Sequence, residues 1–248
     1  MTTPALRVRD LTVRYGDVLA LDSVSLTVAP ARICGLVGTN GSGKTTLFKS
    51  VLGLVTAEDG QVDMHGHRPR EARTKGIVGY VPQTEQVDWH FPVRVIDVVM
   101  MGRYGHMGPT RRPRRADHDA VTAALERTGL THLAHRQIGA LSGGQRKRAF
   151  IARAIAQDAN LLLLDEPFAG VDSHAQADIV DVLHAMRHEG HTLLVSTHDL
   201  AGLARLCDEA ILLQRRVVAH GPPERVLTPQ NLVEAFGGST GTVAEGVR

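Results

Sequence analysis

ICGLVGTNGSGKTT, residues 33–46, opens on a short apolar run and turns through glycines into Gly-Lys-Thr-Thr. The run has the pattern of a strand buried on both faces. Residues 38–45, GTNGSGKT, fit G-x-x-x-x-G-K-[ST], and a helix is expected over about 44–54. A strand before and a helix after supply the context in which this pattern cradles phosphate. Glycines at 38, 41 and 43 let the backbone of Gly38, Thr39, Asn40, Gly41, Ser42 and Gly43 wrap a phosphate with no Cβ in the way. Lys44 supplies a point charge to the β and γ oxygens, and the Thr45 hydroxyl is placed to ligate Mg²⁺, with Thr46 beside it. The chain is read as a binder of a nucleoside triphosphate.

An acidic partner lies downstream in LLLLDEP, residues 161–167. Four leucines make a buried strand, and Asp165 at its end can hold the metal. Glu166 follows where the chain turns at Pro167; a carboxylate beside the γ-phosphate that the metal does not need is suited to polarise an attacking water. Gln83, after the strand GIVGYVPQ, offers an amide to Mg²⁺ or to that water without adding charge. His198, after LLVST, can donate a hydrogen bond to the γ-phosphate. A second anion-binding feature appears in LSGGQ, residues 141–145, where Ser142, Gly143, Gly144 and Gln145 precede a helix expected over 145–156.

Elsewhere the pattern alternates. Residues to about 30 read as strands, SVSLTVAP placing Val24, Leu26 and Val28 on one face. From about 84 to 140 the spacing turns helical, with Asp117 as an expected cap and Val121, Ala124 and Leu125 on one face, an inserted helical lobe. Beyond it, helices expected at 173–188 and 200–207 separate the strands NLLLLDE, HTLLVST and EAILLQ. Such alternation implies βαβ units and a largely parallel sheet. Residues 237–248 lack periodicity and are expected to form a flexible tail after a single domain over 1–236.

The bulk properties narrow the classes. The chain has 248 residues, 43% hydrophobic and 22% charged, with net charge +2, too mild to argue for nucleic acid. Aromatic content of 4% weakens base stacking further. MTTPALRVRD has no apolar core of a signal peptide, and no run approaches the roughly 18 residues of a bilayer span, so a cytosolic chain is expected. Cys34 and Cys207 fit neither disulfide nor zinc spacing, and Cys34 reads as a buried structural thiol. Of the 13 histidines, His65 with His67 and His184 with His188 form pairs that lack a third ligand, and surface residues are the preferred reading. RRPRR, 111–115, reads as a solvated loop in preference to a lipid-headgroup contact.

Taken in order, Tyr15, the cradle, Gln83, LSGGQ, LLLLDE, AGVD at 169–172 and His198 strongly resemble the nucleotide-binding subunit of ABC transporters, from Tyr15 to about Phe236. The resemblance implies a P-loop NTPase of ABC type: an α/β fold with a mainly parallel core sheet, an antiparallel β subdomain and the inserted helical subdomain. It implies that Tyr15 stacks on adenine, a contact of about 1–3 kcal/mol that barely discriminates bases. It further implies a head-to-tail homodimer with two ATP at the interface, where Ser142, Gly143 and Gly144 of one copy meet the γ-phosphate held by the other and Asp172 sits at the same interface. Thr39 is a departure, since many members carry proline there.

TEQVDWHFPVRVIDVVMMGRYGHMG, 84–108, resembles the ATPases of bacterial manganese, zinc and iron uptake systems. That implies an ATPase energising import of a divalent transition metal at the cytoplasmic face of the plasma membrane, through an integral permease served by an extracytoplasmic solute-binding protein. The competing reading is a soluble ABC ATPase acting on ribosomes or DNA, which two cassettes or a long coiled-coil insertion would favour. A degenerate subunit that binds ATP without turnover is opposed by the intact Glu166 and His198.

Overall fold

The computed structural model describes residues 3–83 and 91–237. The first seven residues of the expected helical lobe and the tail from 238 onward lie outside the described residues.

The chain begins with two long strands, β1 (Leu6–Tyr15) and β2 (Val18–Val28), then the short β3 (Ile33–Val37) and helix α1 (Lys44–Val51). β4 (Asp59–Asp63), α2 (Pro69–Thr74) and β5 (Val78–Val81) follow. Helices α3 (Val95–Met101), α4 (Arg115–Arg127) and α5 (Gly143–Gln157) come next, joined by short 3-10 turns. The chain then alternates through β6 (Leu161–Asp165), α6 (Ser173–His188), β7 (Thr192–Thr197), α7 (Leu200–Leu206) and β8 (Glu209–Gln214). It closes with β9 (Arg216–Gly221), α8 (Pro223–Val226) and α9 (Pro229–Phe236).

Two sheets organise these elements. β1, β2 and β4 form a three-stranded antiparallel sheet in the order β2-β1-β4, and the other six strands run β5-β6-β7-β3-β8-β9. From β5 to β8 the large sheet is parallel, and β9 returns antiparallel to β8. The expected mixture of a parallel core, an antiparallel β layer and helices is what the structure has.

The continuous apolar runs owe their character to two cores. Leu162 and Leu164 of β6 face a core shared with α3, α4 and α5, while Leu161 and Leu163 face a second core shared with β1 and β2. β3 does the same, Ile33 and Val37 pointing one way and Cys34 and Leu36 the other. Each leucine so buried contributes about 1.5–3 kcal/mol relative to exposure. Period-two alternation vanishes because neither face meets water.

Three local details differ from expectation. α1 stops at Val51, because Gly53 takes a left-handed φ of +63° and the Leu54 N–H returns to the Lys49 carbonyl at 2.8 Å. α4 begins at Arg115, and Asp117 caps it from inside the first turn, accepting the Arg114 N–H at 2.9 Å. α5 begins at Gly143, two residues before the expected start, because Ser142 and Gln145 close a reciprocal capping box. His65 and His67 do flank a tight turn, closed by mutual backbone bonds of Met64 and His67. Residues 111–114 are a loop, with the Arg111 guanidinium donating to the Tyr104 carbonyl at 2.6 Å.

Candidate active site

Parallel register brings the carboxyl ends of four strands to one edge. Val37 pairs with Thr197, Asp165 with Ser196, and Val81 with Leu164, so the loops after β3, β5, β6 and β7 leave the sheet together. Ligands in open α/β sheets bind at such an edge. A cavity of about 320 Å³ opens there, lined by Tyr15, residues 39–46, Gln83, Asp165 and Glu166. Five segments far apart in sequence, Arg215 among them, thereby form one pocket, and every residue from Thr39 to Thr46 reaches it.

The cradle has its shape for steric reasons. A Cβ on Gly38 would overlap the Leu213 carbonyl oxygen and the Ser42 hydroxyl. Gly43 sits at φ +102°, where a Cβ would stand 2.8 Å from the Ala20 carbonyl oxygen. The β8–β9 turn braces the loop from below, the Arg215 N–H donating to the Ser42 carbonyl at 2.8 Å. Lys44 is buried and folds over the loop, its ammonium donating to the carbonyls of Gly38 at 2.7 Å and Thr39 at 3.1 Å. Burial lowers its pKa, opposed by the nearby carboxylates of Glu166 and Asp165. The Ser42 hydroxyl is buried with no hydrogen-bond partner among the described residues, a polar atom that a phosphate in the loop would satisfy.

Asp165 and Glu166 are both buried, 4% and 7% exposed, at the mouth of β6. Ser196 at the neighbouring strand end holds them apart and in place: its hydroxyl donates to Asp165 Oδ1 at 2.6 Å and accepts the Glu166 N–H at 2.9 Å. The Tyr80 hydroxyl stands 3.4 Å from Asp165 Oδ2. Glu166 adopts φ +49°, a left-handed conformation that costs a non-glycine residue about 1–3 kcal/mol and persists only when its surroundings dictate it. His198 Nδ1 lies 2.8 Å from Glu166 Oε2, so the imidazole contacts the acid directly. Its side chain is otherwise largely open to solvent, 76% exposed.

Ser142, Gly143, Gly144 and Gln145 lie elsewhere. None of them lines the cavity, and they face the segment at Asp172: a Cβ on Gly144 would stand 3.5 Å from the Ala175 Cβ and 3.8 Å from Asp172 Oδ2. The Ser142 hydroxyl accepts the Gln145 N–H at 3.3 Å, and the Gln145 side chain accepts the Ser142 N–H at 3.0 Å. Asp172 accepts the Ala175 N–H at 3.0 Å and so caps α6. α5 nevertheless reaches the cavity wall, because the buried Lys147 donates to the carbonyls of Pro82 and Gln83 at 3.3 Å.

Sequence reasoning missed three residues here. Ser196 is a polar residue inside an apolar strand, a signal that was readable. Lys147 carried no signal beyond a charge on a helix. Arg215 lines the cavity from a left-handed turn at φ +59°, and its partner Ser42 lies 173 residues earlier in the chain.

The profile of the ABC transporter family matches residues 21–169, which contain the cradle, Gln83, LSGGQ and both acids. The chain belongs to the ABC transporter family. The manganese transport system ATP-binding protein MntA of Synechocystis is 48% identical over 234 residues, covering 94% of this chain and 90% of that protein. The chelated iron transport system membrane protein YfeB of Yersinia pestis is 51% identical over 237 residues, 95% of this chain and 80% of that one. Among solved structures, an ATP-binding cassette of an ABC transporter in its ADP conformation superposes with a TM-score of 0.83 at 26% identity, covering 96% of this chain and all of that chain. Membership settles the class of chemistry: this is an ATP-binding transport ATPase of the ABC family, and the reading as a ribosome or DNA factor has no support.

Proposed function

We propose that this chain is the ATP-hydrolysing subunit of a bacterial importer of a divalent transition metal, manganese, zinc or iron, working as a head-to-tail homodimer with two ATP at its interface. One observation carries the dimer: the cavity holds cradle and acids but none of residues 142–145. A helix start built for an anion, standing away from its own chain's phosphate site, is matched by a second copy that brings its own. The metal follows from the curated relatives, which are manganese and iron transport proteins.

Lys44 leaves the Gly38 and Thr39 carbonyls to meet the β and γ oxygens, an exchange that replaces two neutral acceptors with charged ones. Tyr15, 46% exposed beside the cavity, stacks on the base. The Thr45 hydroxyl, Gln83 amide and Asp165 carboxylate at the cavity are hard oxygen donors, which fits Mg²⁺. When bound, Mg²⁺ neutralises charge on the β and γ phosphates. Glu166 accepts a proton from water as its oxygen attacks the γ-phosphorus, while the bond from that phosphorus to the ADP oxygen breaks. His198, 2.8 Å from Glu166 at Nδ1, turns an N–H to the γ-phosphate. The nucleotide-binding unit spans 1–236, with the helical subdomain at about 84–140 and the tail beyond.

Among the described residues, no helix is long and apolar enough to cross a membrane. Membership of the ABC transporter family supports transport through an integral permease, at whose cytoplasmic face this subunit docks, in a system that includes an extracytoplasmic solute-binding protein. Glu166→Gln tests the catalytic assignment. ATP turnover should fall by about 10²–10⁴-fold, with the ATP-bound dimer accumulating on size exclusion; unchanged turnover removes Glu166 from the base role. Cells lacking the chain should accumulate less manganese, zinc or iron, and unaltered contents of all three sink the substrate assignment.

A further inference from the structure

Outside the nucleotide cavity, three side chains with metal-binding chemistry meet on one face of the large sheet. Cys34 and Glu209 are direct partners across β3 and β8, and β9 places His220 opposite Ile211, two residues from Glu209. The Cys34 sulfur, a Glu209 carboxylate oxygen and a His220 ring nitrogen all lie within 4.8 Å of one another. His220 Nε2 stands 3.4 Å from Glu209 Oε2. Ligands at about 2.0–2.2 Å from a tetrahedral zinc ion are themselves about 3.4 Å apart, so this pair already has the spacing of two ligands. The other carboxylate oxygen, Glu209 Oε1, is buried with no hydrogen-bond partner among the described residues. Buried carboxylate oxygens in folded proteins have partners, and an orphan one calls for a cation or a donor that the described residues do not provide.

We propose that Cys34, Glu209 and His220 bind one divalent transition-metal ion of the zinc class, which ties β3 to β8 and β9. A thiolate, an imidazole and a carboxylate together select a borderline ion such as Zn²⁺ over the hard Mg²⁺ and Ca²⁺. Glu209 and His220, with side chains 21% and 24% exposed, form the rim through which the ion enters, and water completes the tetrahedron from that side. Cys34 lies fully buried beneath them. Burial, with Glu209, Cys207 and Asp208 nearby, pushes the Cys34 thiol well above its ordinary range. The ion supplies the counter-charge for the thiolate, and binding releases one proton. The placement links the ion to the nucleotide. Cys34 lies on the strand that leads into Gly38, four residues and about 13 Å before it, and the β8–β9 turn carries Arg215 into the cavity wall. The proposal stands on these three side chains and not on what the transporter carries.

The test uses the full chain, reduced and stripped by chelator, titrated with Co²⁺ as a spectroscopic stand-in for Zn²⁺. One equivalent should bind with a sulfur-to-cobalt charge-transfer band in the near ultraviolet, and Zn²⁺ should displace it. Cys34→Ser should lose the band, Cys207→Ser should keep it, and His220→Gln should keep it with affinity at least tenfold weaker. Nucleotide binding by each variant reports that it folds, and His220 on the partly exposed edge strand keeps the test open if Cys34→Ser does not. Absence of the band in the reduced wild-type chain overturns the proposal, as does its loss in Cys207→Ser or unchanged affinity in His220→Gln.

Discussion

Ser196 touches both acids of the active site through one oxygen. It donates its hydroxyl proton to Asp165 Oδ1 and receives the Glu166 N–H, so it sets the distance between the two acids proposed as metal ligand and base. Ser196→Ala removes both bonds and leaves a buried N–H unpaired, a loss of about 1–3 kcal/mol concentrated on the acids. Steady-state kinetics should show kcat lowered about tenfold or more with the KM for ATP within about threefold, and Ser196→Thr should restore turnover; a change in KM alone would contradict the positioning role. Lys44 acts on binding. Its charged hydrogen bonds are worth about 1.5–3 kcal/mol, so Lys44→Ala should weaken ATP by about 10–100-fold in equilibrium dialysis. Both residues were open to reading from the sequence, Lys44 by motif and Ser196 only as a polar anomaly.

A buried ion pair joins the helices of the lobe. Arg103, in the 3-10 turn after α3, donates to Asp117 of α4 at 3.1 Å and to the Ala156 carbonyl of α5 at 2.8 Å, so one guanidinium joins all three helices. The Arg114 N–H, followed by the Arg103 guanidinium, holds the Asp117 carboxyl below its ordinary range against the effect of burial. A carboxylate with a pKa lower in the folded than in the unfolded state stabilises above its unfolded pKa, and that contribution disappears as pH falls through the folded one. Thermal melts at neutral pH should therefore show Asp117→Asn several degrees below wild type, with the gap closing below about pH 4 as the wild-type carboxylate also takes up its proton. A gap that persists unchanged into acid would show the loss to be packing alone. The helices here were legible from their spacing, but the cap was misplaced by three residues, because Asp at the first position and Asp within the first turn give the same local pattern.

At the scale of the molecule, the cradle and the proposed second phosphate-binding feature at residues 142–145 do not share a cavity, and on the proposed function ATPase activity should depend on association. Specific activity should rise with protein concentration across the dimerisation range, and Ser142→Ala should lower turnover with little change in ATP binding by the monomer. A concentration-independent rate would contradict the shared site. The sequence by itself determined the fold class, the cradle, the acids and the family. Those signals are local: glycines where a backbone must approach phosphate, and apolar runs where a strand is covered twice. Only the tertiary structure decided which residues from distant segments meet. Ser196 comes to the acids, Arg215 to the cradle wall, and Cys34 to Glu209 and His220, across separations of 30 to 186 residues. Spacing along the chain carries no record of such meetings, because strand order β5-β6-β7-β3-β8-β9 follows burial and crossover geometry and not position in sequence.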